Sequence, residues 1–242
     1  MPLPGSQNDR GGQGPADRSE NGGPLGQLRA LAVQEVEVAA GLRHLELYTM
    51  GGLLTVLWHG EPSAEAAVLT CGGAMGSLLG PADGLYHDLG VALADRGIGT
   101  LRVGYRRPND LDACVHDLAA VADLATRQGA RRFVAMGHSF GGAVAVQVAI
   151  ALPAVMAGVV TLATQSAGCE HADRLACPLL LFHGDRDELL PPAASEMVRM
   201  IAGRGELVVL AGSGHLLSEA AIELRERLLV WLPEALAAAA PA

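Results

Sequence analysis

The chain has 242 residues, half of them apolar, which suits one domain with a single large core. Its 26 acidic residues outnumber 17 basic ones for a net charge of −9, and no basic run could track a phosphate backbone, which argues against a nucleic-acid partner. Every basic residue is arginine, so Schiff-base chemistry on pyridoxal phosphate and the lysine of a phosphate-binding P-loop are excluded.

Residues 1–26 are rich in Pro, Gly, Asn and Asp and lack the apolar core of a signal peptide. They are expected to be a disordered tail on a cytoplasmic protein, ahead of one domain over 27–234 and a fraying end over 235–242. Strand-like segments at 34–39, 45–49 and 53–58 suggest an antiparallel opening to a sheet. From residue 67 short apolar runs alternate with longer periodic ones: strand 67–70, helix 83–96, strand 99–104, helix 109–127. In the last of these Leu111, Val115, Leu118, Ala122 and Ala125 form one apolar stripe, with His116 and Asp117 expected to face away from its centre. Strand 133–136, helix 140–151, strands 158–162 and 179–182, helix 192–201, strand 206–210 and helix 218–231 complete the series. The fold class is therefore α/β, a mostly parallel, doubly wound sheet of about eight strands with helices on both faces. Its active site belongs at the carboxyl ends of the strands. The apolar stretch 143–163 approaches the length of a membrane span, but Gln147 and Pro153 interrupt it; a buried helix followed by a strand is expected, without membrane insertion.

Chemistry concentrates at Gly137-His138-Ser139-Phe140-Gly141-Gly142, between the apolar runs 133–136 and 143–146. A serine between glycines at a strand-to-helix junction needs strained backbone angles and close approach of strand and helix, which pushes its hydroxyl out as a nucleophile elbow. A serine nucleophile needs a base, and the base an orienting acid. After strand 179–182 comes His183-Gly184-Asp185-Arg186-Asp187-Glu188, with three carboxylates; after strand 206–210 comes Gly212-Ser213-Gly214-His215. Four cysteines, Cys71, Cys114, Cys169 and Cys177, have neither Cys-x-x-Cys nor zinc-finger spacing, so free buried thiols are expected, with no metal and no cofactor.

With these motifs in the order Ser, Asp, His, the chain resembles serine hydrolases of the α/β-hydrolase fold over roughly 66–232, and within them compact bacterial esterases and dienelactone-hydrolase-like proteins, which often use Cys where this chain has Ser139. The resemblance implies Ser139 as nucleophile, Asp187 of the His-Gly-x-x-Asp loop as acid and His215 as base, with Asp185 the alternative acid. It implies an oxyanion hole from the backbone N–H of Phe140 and one from the loop after strand 67–70, Gly73 favoured over Ala74. Many relatives carry His-Gly there, and Cys71 is a departure. Cys71 as nucleophile and His138 as base are the weaker readings; His44, His59, His87, His116 and His171 are structural by default. Arg106 and Arg107 end a strand beside the site, where a structural salt bridge is favoured over an acidic-substrate contact. Only residues 164–176 stand where larger relatives insert a cap, too few for a lid domain, so an open cleft is expected. An elbow Asp, which epoxide or haloalkane hydrolysis would require, is absent. The expected function is hydrolysis of small soluble carboxylic esters through an acyl-enzyme; thioesterase or peptidase activity on the same triad, or a silent binding protein, are the alternatives.

Overall fold

The apolar patterning resolves into a nine-stranded sheet in the computed structural model, which describes residues 22–238. Strands β1 (Ala32–Ala39), β2 (Leu42–Thr49) and β3 (Gly52–His59) form an antiparallel meander, and β3 pairs antiparallel with β5 (Ile98–Gly104). Beyond β5 the sheet is parallel: β4 (Ala66–Cys71), β6 (Arg132–His138), β7 (Met156–Leu162), β8 (Leu179–Gly184) and β9 (Glu206–Leu210), in the order 1-2-3-5-4-6-7-8-9. Because β5 and β6 flank β4 on opposite sides, the winding reverses between β4 and β6. At such a switch point the loops leaving neighbouring strands diverge and open a crevice at the carboxyl edge. The loops that open here are the one following Cys71 and the elbow at Ser139.

Helices cover both faces. On one side α3 (Leu111–Gln128), α4 (Phe140–Ala151) and α5 (Ala193–Ala202) pack over a core that includes Leu69, Leu101, Phe133 and Leu181. On the other, α2 (Leu85–Ala94) and α6 (Ala221–Ala238) cover Val68, Val134, Val160 and Phe182. Helix α4 buries residues on every side, from Phe140 to Ala149, because it lies directly on the sheet beneath neighbouring segments. No helix among the described residues is long and apolar enough to cross a membrane.

Several expectations need correction. All nine strand segments join one sheet where about eight were expected, and β9, at its edge, is exposed at Glu206 and Val209 rather than covered on both faces. The expected tail over 1–26 ends in structure: α1 (Pro24–Gln27) packs on α3, with the Leu25 N–H donating to Asp123 Oδ2 at 3.1 Å. Residues 1–21 and 239–242 lie outside the described residues. The end expected to fray is helical over 235–238, where Ala235 and Leu236 are buried against the α2–α6 core. Asp117 does not face away from its helix's core side: it is completely buried and pairs with Arg106. His116 sits with Nε2 3.0 Å from the Pro24 carbonyl oxygen.

Candidate active site

Ser139 has φ 56° and ψ −119°, a backbone region that L side chains rarely enter. The elbow is possible because its neighbours lack side chains. A Cβ on Gly137 would stand 1.8 Å from the Gly141 carbonyl oxygen, and one on Gly141 would stand 2.4 Å from that of Gly72. The strained residue is held on both sides: its N–H donates to Leu162 O at 2.8 Å, and its carbonyl accepts from Gly142 N–H at 3.0 Å.

The expected acid and base meet. His215 Nδ1 lies 2.7 Å from Asp187 Oδ2, so the ring donates Nδ1–H to the carboxylate and leaves Nε2 with a free lone pair. Asp187 Oδ1 accepts from the backbone N–H groups of Leu189 and Leu190, at 2.9 and 2.8 Å. Burial pushes the Asp187 carboxyl up, but the Leu190 N–H, His215 and the Leu189 N–H together hold it below the usual carboxylate range. Asp185, the alternative acid, is exposed and caps Gly212 N–H at 2.6 Å instead.

Two further residues steady this pair. His183 is fully buried; its Nε2 lies 2.9 Å from Leu190 O and 3.2 Å from Asp187 Oδ2, and its Nδ1 lies 2.6 Å from Ser195 Oγ. Both oxygens on the Nε2 side are acceptors, so Nε2 carries the proton and Nδ1 accepts from the Ser195 hydroxyl. His138 sends Nε2–H to the backbone carbonyl of His215 at 2.9 Å, and the two rings lie 4.8 Å apart. Burial drives the His138 pKa down to about 4, so it is a neutral strut rather than a base.

Ser139, His138 and His215 line one pocket with the loop from Gly72 to Ser77, a cavity of about 330 Å³. Among the described residues no hydrogen bond joins the Ser139 hydroxyl to the His215 ring, a contact that often tightens only when substrate arrives. Gly73 abuts the elbow: a Cβ there would lie 3.5 Å from Ser139 Cβ. Phe140 opens α4, so its N–H is one of the orphan donors of a helix N-terminus. Two tyrosines brace the same loop, Tyr86 donating to Cys71 O at 2.8 Å and Tyr105 to Gly72 O at 3.1 Å. Cys71 itself is buried, its Sγ turned toward Gly141 O at 3.4 Å, and burial pushes its thiol up to about 12, the opposite of a nucleophile. All four cysteines are buried and free. Arg106 is spent on Asp117, through both its side chain and its N–H, and Arg107 Nε donates to Gly51 O.

The segment 164–176 packs down on α4 rather than over the pocket: Gln147 Nε2 donates to Gly168 O at 2.6 Å, and Cys169, Ala172 and Leu175 are buried in the core. None of its residues lines the pocket, so this segment forms no cap over Ser139. His183 was visible in the sequence only as a letter in the His-Gly-x-x-Asp loop; its spacing of four from Asp187 is the one signal that could have marked it. Nothing in the sequence indicated where the two tyrosine hydroxyls reach.

A model of the dienelactone hydrolase family matches residues 99–213, from β5 to the loop before His215. No curated protein sequence matches the chain. Among solved structures, Est1E from Butyrivibrio proteoclasticus superposes with a TM-score of 0.69 at 16% identity, covering 80% of this chain and 99% of that one. Dienelactone hydrolase from Anabaena variabilis gives 0.68 at 18%, over 84% and 98%. An α/β serine hydrolase homologue from Coxiella burnetii gives 0.63 at 22%, over 77% and 95%.

Proposed function

We propose that this chain, a dienelactone-hydrolase-like protein of the α/β-hydrolase fold, is a serine hydrolase that cleaves small carboxylic esters through an acyl-enzyme. The observation that carries the reading is the 2.7 Å bond from His215 to Asp187, with His215 lining the same pocket as the strained elbow serine. His215 Nε2 takes the Ser139 proton as Oγ attacks the ester carbonyl. The imidazolium that forms is stabilised by Asp187, and the oxyanion is met by the N–H groups of Phe140 and Gly73. Collapse of the tetrahedral adduct breaks the carbon–oxygen bond, and His215 returns its proton to the departing alcohol. A water molecule, deprotonated by the same ring, then attacks the acyl-Ser139 carbonyl and releases the acid. The uncapped pocket of about 330 Å³ suits small acyl groups and exposes the acyl-enzyme to water.

The test is a panel of short- and long-chain esters, with thioesters and amides alongside, assayed on the wild type and on Ser139→Ala. Turnover of short esters that Ser139→Ala abolishes supports the reading. Preference for thioesters or peptides would move the substrate class while keeping the triad. A folded wild type that turns over none of them would contradict it.

A further inference from the structure

Tyr105 stands where both expected oxyanion donors are set. It closes the loop edge of β5, 7% exposed, and its hydroxyl donates to Gly72 O at 3.1 Å. The ring packs edge-on against the Phe140 ring, centroids 6.2 Å apart and planes at 88°. The chain immediately after it is pinned, because Arg106 N–H donates to Asp117 Oδ2 at 2.9 Å. Burial pushes the Tyr105 phenol far above its ordinary range, so the hydroxyl keeps its proton and remains a donor.

The consequence comes from peptide geometry. The carbonyl of Gly72 and the N–H of Gly73 belong to one planar trans unit and point in opposite directions. The Gly72 oxygen is turned inward, held by Tyr105 and pressed over Gly141, where an added Cβ would meet it at 2.4 Å. With the oxygen fixed inward, the Gly73 N–H is aimed outward at the pocket that Gly72, Gly73 and Ser139 share. Hydrogen bonding to the carbonyl also polarises the amide and strengthens its N–H as a donor. Tyr86 fixes the preceding peptide through Cys71 O, one residue too early to orient the Gly73 N–H.

We propose that Tyr105 is the positioning residue of the oxyanion hole: its hydroxyl orients the Gly72–Gly73 peptide, and its ring steadies the Phe140 end of α4. The inference rests on the ester-hydrolase reading above and goes beyond it by selecting Gly73 over Ala74 through a residue that need not touch substrate. Removing an oxyanion donor outright costs about 10²–10³ in kcat, and misaiming one costs less. Tyr105→Phe is therefore expected to lower kcat about 10- to 100-fold with KM nearly unchanged. The same variant weakens binding of a trifluoromethyl ketone, which forms a tetrahedral oxyanion adduct with the serine, by a similar factor, while an uncleavable ether analogue of the ester binds as before. Tyr86→Phe, which also loses a buried hydroxyl, is the control and shows a smaller fall in kcat. Tyr105→Phe with wild-type kcat and wild-type ketone affinity would overturn the proposal, as would equal weakening of ketone and ether together with a lowered melting temperature. Should Tyr105→Phe not fold, 3-fluorotyrosine at 105 keeps the size and sharpens the donor. It must bind the ketone at least as tightly as wild type, and weaker binding overturns the proposal. A wild type that neither cleaves esters nor forms the ketone adduct would instead sink the hydrolase reading, so the two failures are distinct.

Discussion

At the scale of single residues, each member of the site has a distinct task, and substitutions should separate them. Asp187→Asn keeps the shape but presents an amide to His215 Nδ1 and so loses the ionic acceptor that fixes the tautomer. A fall in kcat of about 10³–10⁴-fold is expected, while Asp185→Asn, whose amide oxygen can still accept from the Gly212 N–H, stays within about threefold. Steady-state kinetics of the two variants decide between the acids; the reverse ranking would assign the role to Asp185. The elbow serine, His215 and the two candidate carboxylates could be picked out because each falls at a strand end marked by glycines. The struts were not. His138 and His183 resemble ordinary core histidines in sequence, and only distance shows that one holds the His215 carbonyl and the other lies against Asp187.

Among the elements, helix α3 shows how far periodicity reaches. Leu118, Ala122 and Ala125 are buried as the stripe requires, yet Asp117 is buried beside them. Hydropathy treats a carboxylate as solvent-facing, and its partner Arg106 arrives from the loop after β5, a connection with no local signature. The Asp117 carboxyl stands above its ordinary value because burial outweighs the opposing pull of the Arg106 N–H and guanidinium. Asp117→Ala leaves Arg106 uncompensated in a site where its side chain is only 12% exposed. A loss of about 3–5 kcal/mol in urea unfolding is expected, with a further drop in kcat because Tyr105 adjoins the freed loop. A loss below about 1 kcal/mol would show the pair to be dispensable. The ends of α6 and α1 differ from expectation for a related reason: alanine-rich composition suggests a fraying end and Pro/Gly-rich composition a disordered tail, whereas tertiary contacts at Leu236 and Leu25 order both segments.

Across the whole molecule, the fold class followed from the alternation of apolar runs, because covered parallel strands and amphipathic helices leave different periods. The strand order, and with it the switch point that opens the site, depends on long-range pairing and became visible only in the structure. Buried histidines give the assembled fold a pH signature. Burial first, with Arg102 and His87 nearby, lowers His59 to about 4, and burial lowers His138 to about 4 as well. In the unfolded chain both titrate near the ordinary 6.5, so between 6.5 and 4 the unfolded state binds more protons. Stability is therefore full above pH 6.5 and is lost as the pH falls toward 4, by an amount on the order of a few kcal/mol. Asp187, held low in the fold, adds its own loss only further down, as the pH drops through its folded value. Melting temperatures across this window should decline, less steeply for His59→Gln; a flat profile would contradict the assignment. Activity should fall on acidification, since a protonated His215 cannot accept the serine proton.

The central claim, that Ser139 is a nucleophile activated by His215, is tested most directly by reacting the intact protein with a fluorophosphonate and mapping the adduct by mass spectrometry. One phosphonyl group on Ser139, formed at least a hundredfold more slowly in His215→Ala, is the expected result. A folded protein left unmodified, or modified at Cys71 rather than Ser139, would contradict the account.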